Sequence, residues 1–86
     1  MSNHDEQIQT SLRKFFIDRA WLHPDEVLKP GDSLLEKGVI DSMAMIELTT
    51  FIGESFGIEV ADEDLMPENF DSLMAISGYI RKKQGD

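Results

Sequence analysis

The sequence predicts an all-α fold: a small antiparallel four-helix bundle with a short third helix and a long loop between helices 1 and 2. Three observations carry that prediction. Apolar residues recur at helical spacing along most of the chain, with only one brief alternation. Prolines, glycines and Asp-Ser pairs fall where such stretches should start and stop. The length, 86 residues, suits one hydrophobic core and not two. The expected helices cover about residues 5–21, 41–56, 62–66 and 71–83 of a single domain spanning 1–86.

In the first helix Ile8, Leu12, Phe15 and Phe16 recur at helical spacing, with Ala20 continuing the stripe. His23-Pro24 should end it, because proline disfavours helix at the residue before it. From Pro24 to Ile40 the punctuation is dense (Pro24, Pro30, Gly31, Gly38). A connection that long needs anchors, so Val27, Leu28, Leu34, Leu35 and Val39 are expected to pin it to the core. The second helix runs from about Asp41 to Phe56 with Gly57 as its natural stop. Asp62 to Met66 can make one or two helical turns before Pro67. The last helix starts at Asp71 or Ser72 as cap and buries Leu73, Ile76 and Ile80. Its basic end, Arg81 to Lys83, complements the helix dipole.

Placing the second helix on a wheel at about 100° per residue separates two faces. Leu48, Ile52, Met45, Phe56, Ala44 and Phe51 gather on one side, which is a core face. Met43, Ile46, Glu47, Thr50 and Glu54 fall on the other. Two apolar side chains among acids on the side that should see water suggest a docking surface.

Charge sharpens this picture. Seventeen acids oppose eight bases, for a net charge of −9. Nucleic-acid binding needs a basic face and is excluded, and an anionic membrane is equally unsuited as a partner. Residues 41–80 contain nine acids and no Lys or Arg, so that half should steer basic partners onto itself. The chain has no cysteine, which removes disulfides, thiolate metal sites and cysteine nucleophiles. The polar opening from Met1 to Gln9 does not look like a secretory leader, and no apolar run approaches membrane-spanning length. These features predict a cytoplasmic protein with no membrane insertion.

Three Asp-Ser pairs stand out: Asp32-Ser33, Asp41-Ser42 and Asp71-Ser72. Both residue types are good caps and turn formers, which is their default explanation. Ser42 alone opens the long helix with the mixed outer face. A phosphate attached there would meet free backbone N–H groups and the positive end of the helix dipole. Ser42 lacks the context of a nucleophile, since the only histidines are His4 and His23 and no G-x-S-x-G elbow surrounds it. No dedicated metal site is expected, because Asp62-Glu63-Asp64 lacks the spacing and glycine of a calcium loop. The chain reads as a substrate of other enzymes and not as an enzyme.

The stretch Leu34-Leu35-Glu36-Lys37-Gly38-Val39-Ile40-Asp41-Ser42-Met43 resembles the attachment motif of the acyl carrier protein family. Ile46-Glu47-Leu48, Phe56-Gly57-Ile58-Glu59-Val60 and Leu65-Met66-Pro67-Glu68-Asn69-Phe70-Asp71-Ser72 continue the likeness. The resemblance implies a four-helix carrier that bears a covalent 4′-phosphopantetheine arm on Ser42, whose terminal thiol holds an acyl group as a thioester. Asp41 would help a phosphopantetheinyl transferase place magnesium and coenzyme A. Met43, Ile46, Glu47, Thr50 and Glu54 would meet acyl- or aminoacyl-activating and transferring enzymes with basic docking surfaces. Ala44, Gly53 and Ala61 depart from the commoner fatty-acid pattern, and Gly38-Val39-Ile40-Asp41-Ser42-Met43 also resembles aminoacyl carriers loaded by adenylating enzymes. The cargo is therefore acyl first and aminoacyl (D-alanyl-type or peptidyl) as the alternative. An unmodified acidic adaptor, working through its second helix, is the remaining one. A monomer is expected in each case. Bulky Met45, Phe51, Ile52 and Phe56, with Phe15, Phe16 and Trp21 nearby, predict a short or polar load held outside the bundle.

Overall fold

A computed structural model describes residues 3–85; Met1, Ser2 and Asp86, part of the expected domain, lie outside the described residues. Four α-helices carry the fold: α1 Asn3–Asp18, α2 Ser42–Phe56, α3 Pro67–Phe70 and α4 Leu73–Lys83. A 3₁₀ turn at Asp62–Asp64 precedes α3, and no strand occurs among the described residues.

In α1 the stripe Ile8, Leu12 and Phe16 is buried, and Asp5 and Glu6 sit in the first turn, where the dipole favours acids. The helix stops earlier than expected, and not at His23-Pro24. Ala20 takes the left-handed conformation (φ 65°) and is exposed, so it ends the stripe instead of extending it. The Trp21 N–H donates to the Phe16 carbonyl at 2.8 Å and the Ala20 N–H to that of Ile17 at 2.9 Å. This is the Schellman arrangement, in which the left-handed residue lets two otherwise orphaned carbonyls find donors. The Trp21 and Phe16 rings, with centroids 6.1 Å apart, supply its usual apolar contact.

The third helix is also displaced from the expected 62–66. Asp62–Asp64 makes only a 3₁₀ turn, and the α-helical turn begins at Pro67. Proline has no N–H to lose at a first helical position, so Pro67 starts this helix where it was expected to follow one. In α4, Ser72 is the cap, its hydroxyl accepting from the Ala75 N–H at 3.0 Å, and Leu73, Ile76 and Ile80 are buried.

Two sets of contacts fix the helix directions. Asp5 at the start of α1 accepts hydrogen bonds from Ser77 (2.7 Å) and Arg81 (2.9 Å) towards the end of α4, while Arg13 borders the same depression as Leu73 at its beginning. Phe15 of α1 stacks on Phe51 of α2, and Arg19 just beyond α1 pairs with the earlier Glu47. Both pairings run antiparallel, as expected.

The segment from Arg19 to Asp41 lies along the bundle, consistent with a radius of gyration of 11.9 Å, near the ~12 Å typical of a globular chain this long. Leu28, Leu34 and Val39 pin it, and Ile40 joins them in the core. Val27 (70% exposed) and Leu35 (36%) do not, contrary to expectation. Polar bonds complete the anchoring. Arg13 donates to the Leu28 carbonyl at 3.0 Å, and the Asp71 carboxylate receives the Ser33 hydroxyl (2.8 Å) and the Leu35 N–H (2.9 Å). Asp71 therefore serves the loop, while its neighbour Ser72 serves the helix.

Candidate functional site

The start of α2 is built by Asp41. Its backbone is extended (φ −132°, ψ −170°), and its carboxylate accepts from the Ala44 N–H at 2.8 Å. That bond satisfies one of the four donors a helix start leaves free, while the Met45 N–H donating to the Asp41 carbonyl at 2.9 Å is the first regular bond of the helix. The N–H groups of Ser42 and Met43 find no partner among the described residues. Ser42 is the first residue of the helix and is exposed.

The three Asp-Ser pairs separate in the structure. Ser33 is committed twice, donating to Asp71 and accepting from the Glu36 N–H at 3.1 Å. Ser72 is the cap of α4. The Ser42 hydroxyl makes no hydrogen bond among the described residues. His23 is occupied locally, its Nδ1 accepting from the Asp25 N–H at 3.1 Å.

The outer face of α2 is where the wheel placed it. Met43 (76% exposed) and Ile46 (61%) stand in solvent beside Glu47, Thr50 and Glu54. On the inner face Ala44, Leu48 and Ile52 are buried, and Met45, Phe51 and Phe56 pack partly buried against them. Glu47 is not free, since Arg19 reaches across the α1–α2 seam to pair with it while lying over the rings of Phe15 and Trp21. No local pattern signals that pairing. Of the nine acids in 41–80, Asp41, Glu47, Asp64 and Asp71 are thus engaged inside the fold. Glu54, Glu59, Asp62, Glu63 and Glu68 remain as exposed negative charge.

Two depressions flank this helix. One, of about 300 Å³, is floored by Phe15 and Phe51 and edged by Arg19, Ile46, Thr50 and Glu54. The other, of about 380 Å³, lies at the start of α2 between Trp21, Val39, Ile40, Asp41 and Met43.

A family model described as phosphopantetheine attachment site matches residues 19–80, well over half of the chain. The chain belongs to that family. It is a carrier protein, one that bears a 4′-phosphopantetheine group covalently on a serine and is acted on by other enzymes instead of catalysing. Its partners accordingly include a phosphopantetheinyl transferase and biosynthetic enzymes that use the carried group. No helix among the described residues is long and apolar enough to cross a membrane. The start of α2 fits the cofactor, because an exposed hydroxyl on a serine flanked by two unpartnered N–H groups suits a phosphodiester. When bound, the group supplies the thiol that this cysteine-free chain lacks.

Proposed function

We propose that Ser42 carries the arm and that the carrier presents a short or polar acyl group, aminoacyl groups included, to its enzymes. The observation behind the site is the contrast among the three Asp-Ser serines. Ser33 and Ser72 spend their hydroxyls holding the fold, whereas that of Ser42 is exposed and uncommitted. Asp41 shapes the helix start around it and stands beside it for the transferase and its magnesium.

The reading of the cargo rests on the aromatic seam. Phe15 and Phe51 stack at 4.1 Å, Trp21 meets Phe15 edge-on at 5.3 Å, and Phe56 meets Phe51 edge-on at 6.3 Å. An alkyl chain entering there would displace contacts each worth about 0.5–1.5 kcal/mol beyond burial. Enzymes with basic surfaces would dock on Met43, Ile46, Glu47, Thr50 and Glu54. The net charge of −9 disfavours self-association, which supports a monomer, and loading from coenzyme A supports a cytoplasmic setting.

Incubation with coenzyme A, magnesium and a broad-specificity transferase should add one arm, read by intact mass. Ser42→Ala should abolish the addition. Ser72→Ala and Ser33→Ala should keep it, even though Ser33→Ala removes hydrogen bonds to Asp71 and the Glu36 N–H, each worth about 0.5–1.5 kcal/mol. Labelling that persists in Ser42→Ala would overturn the assignment.

A further inference from the structure

The depression at the start of α2 brings together three parts of the chain distant in sequence. Ala20 and Trp21 come from the Schellman turn after α1, Gly38, Val39 and Ile40 from the end of the loop, and Asp41, Met43, Ala44 and Glu47 from α2. Its floor is fixed, since Val39, Ile40 and Ala44 are 4%, 3% and 8% exposed. Its walls are a half-buried indole and a methionine in solvent. Ser42 is not itself part of the lining but sits in sequence between two residues that are, Asp41 and Met43, so an arm tethered to its hydroxyl starts within a residue of the depression.

We propose that the phosphopantetheine arm folds back into this depression, with its geminal-dimethyl pantoyl unit between Trp21 and Met43. The inference rests on Ser42 as the attachment serine. The arm leaves the serine as a phosphate, then presents a branched apolar carbon, then a hydroxyl and amides. The depression offers surfaces that match these groups. The unpartnered N–H groups of Ser42 and Met43 are available to the phosphate, and Trp21, Ala44 and Met43 supply apolar lining for the methyls. The Glu47 carboxylate in the same lining, paired with Arg19, can accept from an amide N–H. Burying the pantoyl methyls against an already fixed floor gains apolar contact with little ordering of the protein. Trp21 is thus a positioning residue for the arm, and the turn created by left-handed Ala20 aims it there.

The chain contains one tryptophan, so Trp21 reports on the site without labels. Apo and loaded protein, their state fixed by intact mass, are compared for acrylamide quenching of indole emission. Nuclear Overhauser contacts between the pantoyl methyls and indole protons are sought in the loaded form. Loading is expected to cut the quenching constant at least twofold and to give those contacts, while Ser42→Ala treated in parallel keeps the apo value. A full gain of mass with unchanged quenching and no methyl–indole contact overturns this inference and leaves Ser42 standing. No gain of mass overturns the assignment of Ser42 and the inference with it.

Discussion

The rings of Phe15 and Phe51 lie nearly parallel, 14° apart with centroids at 4.1 Å, and close the seam between α1 and α2. This contact joins the last turns of α1 to the middle of α2, and the Arg19–Glu47 pair lies along the same seam. It lines this seam with half-buried aromatic rings and bears on what the arm can deliver.

Phe51→Ala should lower stability by about 2–3 kcal/mol, less than a fully buried phenylalanine because the ring is partly exposed. In the unaltered protein, holo forms loaded with a short and a long acyl chain should melt within a degree or two of each other. In Phe51→Ala the long chain should raise the melting temperature more than the short one, by filling the space vacated. Stabilisation that grows with chain length in the unaltered protein would contradict the proposed cargo.

Ala20→Gly should stabilise the fold. An L-residue in the left-handed region costs about 1–2 kcal/mol, and glycine's greater freedom in the unfolded chain returns part of that. Denaturant titration should show a net gain of about 0.5–1 kcal/mol with loading unchanged.

Stability should fall at both extremes of pH for separate reasons. The Tyr79 hydroxyl donates to Asp64 at 2.7 Å, with Lys83 beside both, and burial followed by that bond pushes its pKa up to about 12 from 10.0. Between those values the unfolded chain loses the proton while the fold retains it, so this contribution is full below pH 10 and disappears towards 12. Tyr79→Phe should flatten that part of the profile. Asp5 behaves in the opposite sense. The Ser77 hydroxyl, joined by Arg81, holds its pKa below the ordinary 3.8 against the effect of burial. Its contribution is present above the unfolded value and is lost as pH falls through the folded one, a loss that Asp5→Asn should remove from acid titrations.

Glu54→Lys should slow transferase loading and make it less salt-sensitive with little change in melting temperature, because Glu54 is exposed and has no ion-pair partner among the described residues. Glu47→Lys should slow loading too, and should also destabilise by up to about 1 kcal/mol, since it faces Arg19 with a like charge. Loading rates measured across a salt series separate the two effects. Rates that ignore salt in both variants would reduce the acidic face to a solubility device.

Features that depend on neighbours within a turn or two are legible in the chain's own residue order. The span of α2 follows from Asp41 as cap and Gly57 at φ 66° as stop, and its two faces follow from a 100° step per residue. The proposal of Ser42 over Ser33 and Ser72 starts from its place at the head of that helix. The hydrogen bonds that commit the other two hydroxyls became visible only with the fold. The tertiary structure alone decided how the loop is held, because Ser33 and Asp71 are 38 positions apart and neither has a pattern that names the other. It decided that Glu47 is paired, since Arg19 reaches it only after α1 and α2 align antiparallel. It decided that Ala20 ends α1. Alanine has no intrinsic preference for a left-handed backbone, and the packing of half-buried Trp21 against buried Phe16 compensates for the strain. The apolar loop residues divide for the same reason, with Leu28 and Leu34 inside and Val27 outside. Without a helical or strand period, only packing against distant elements chooses which side chains leave water.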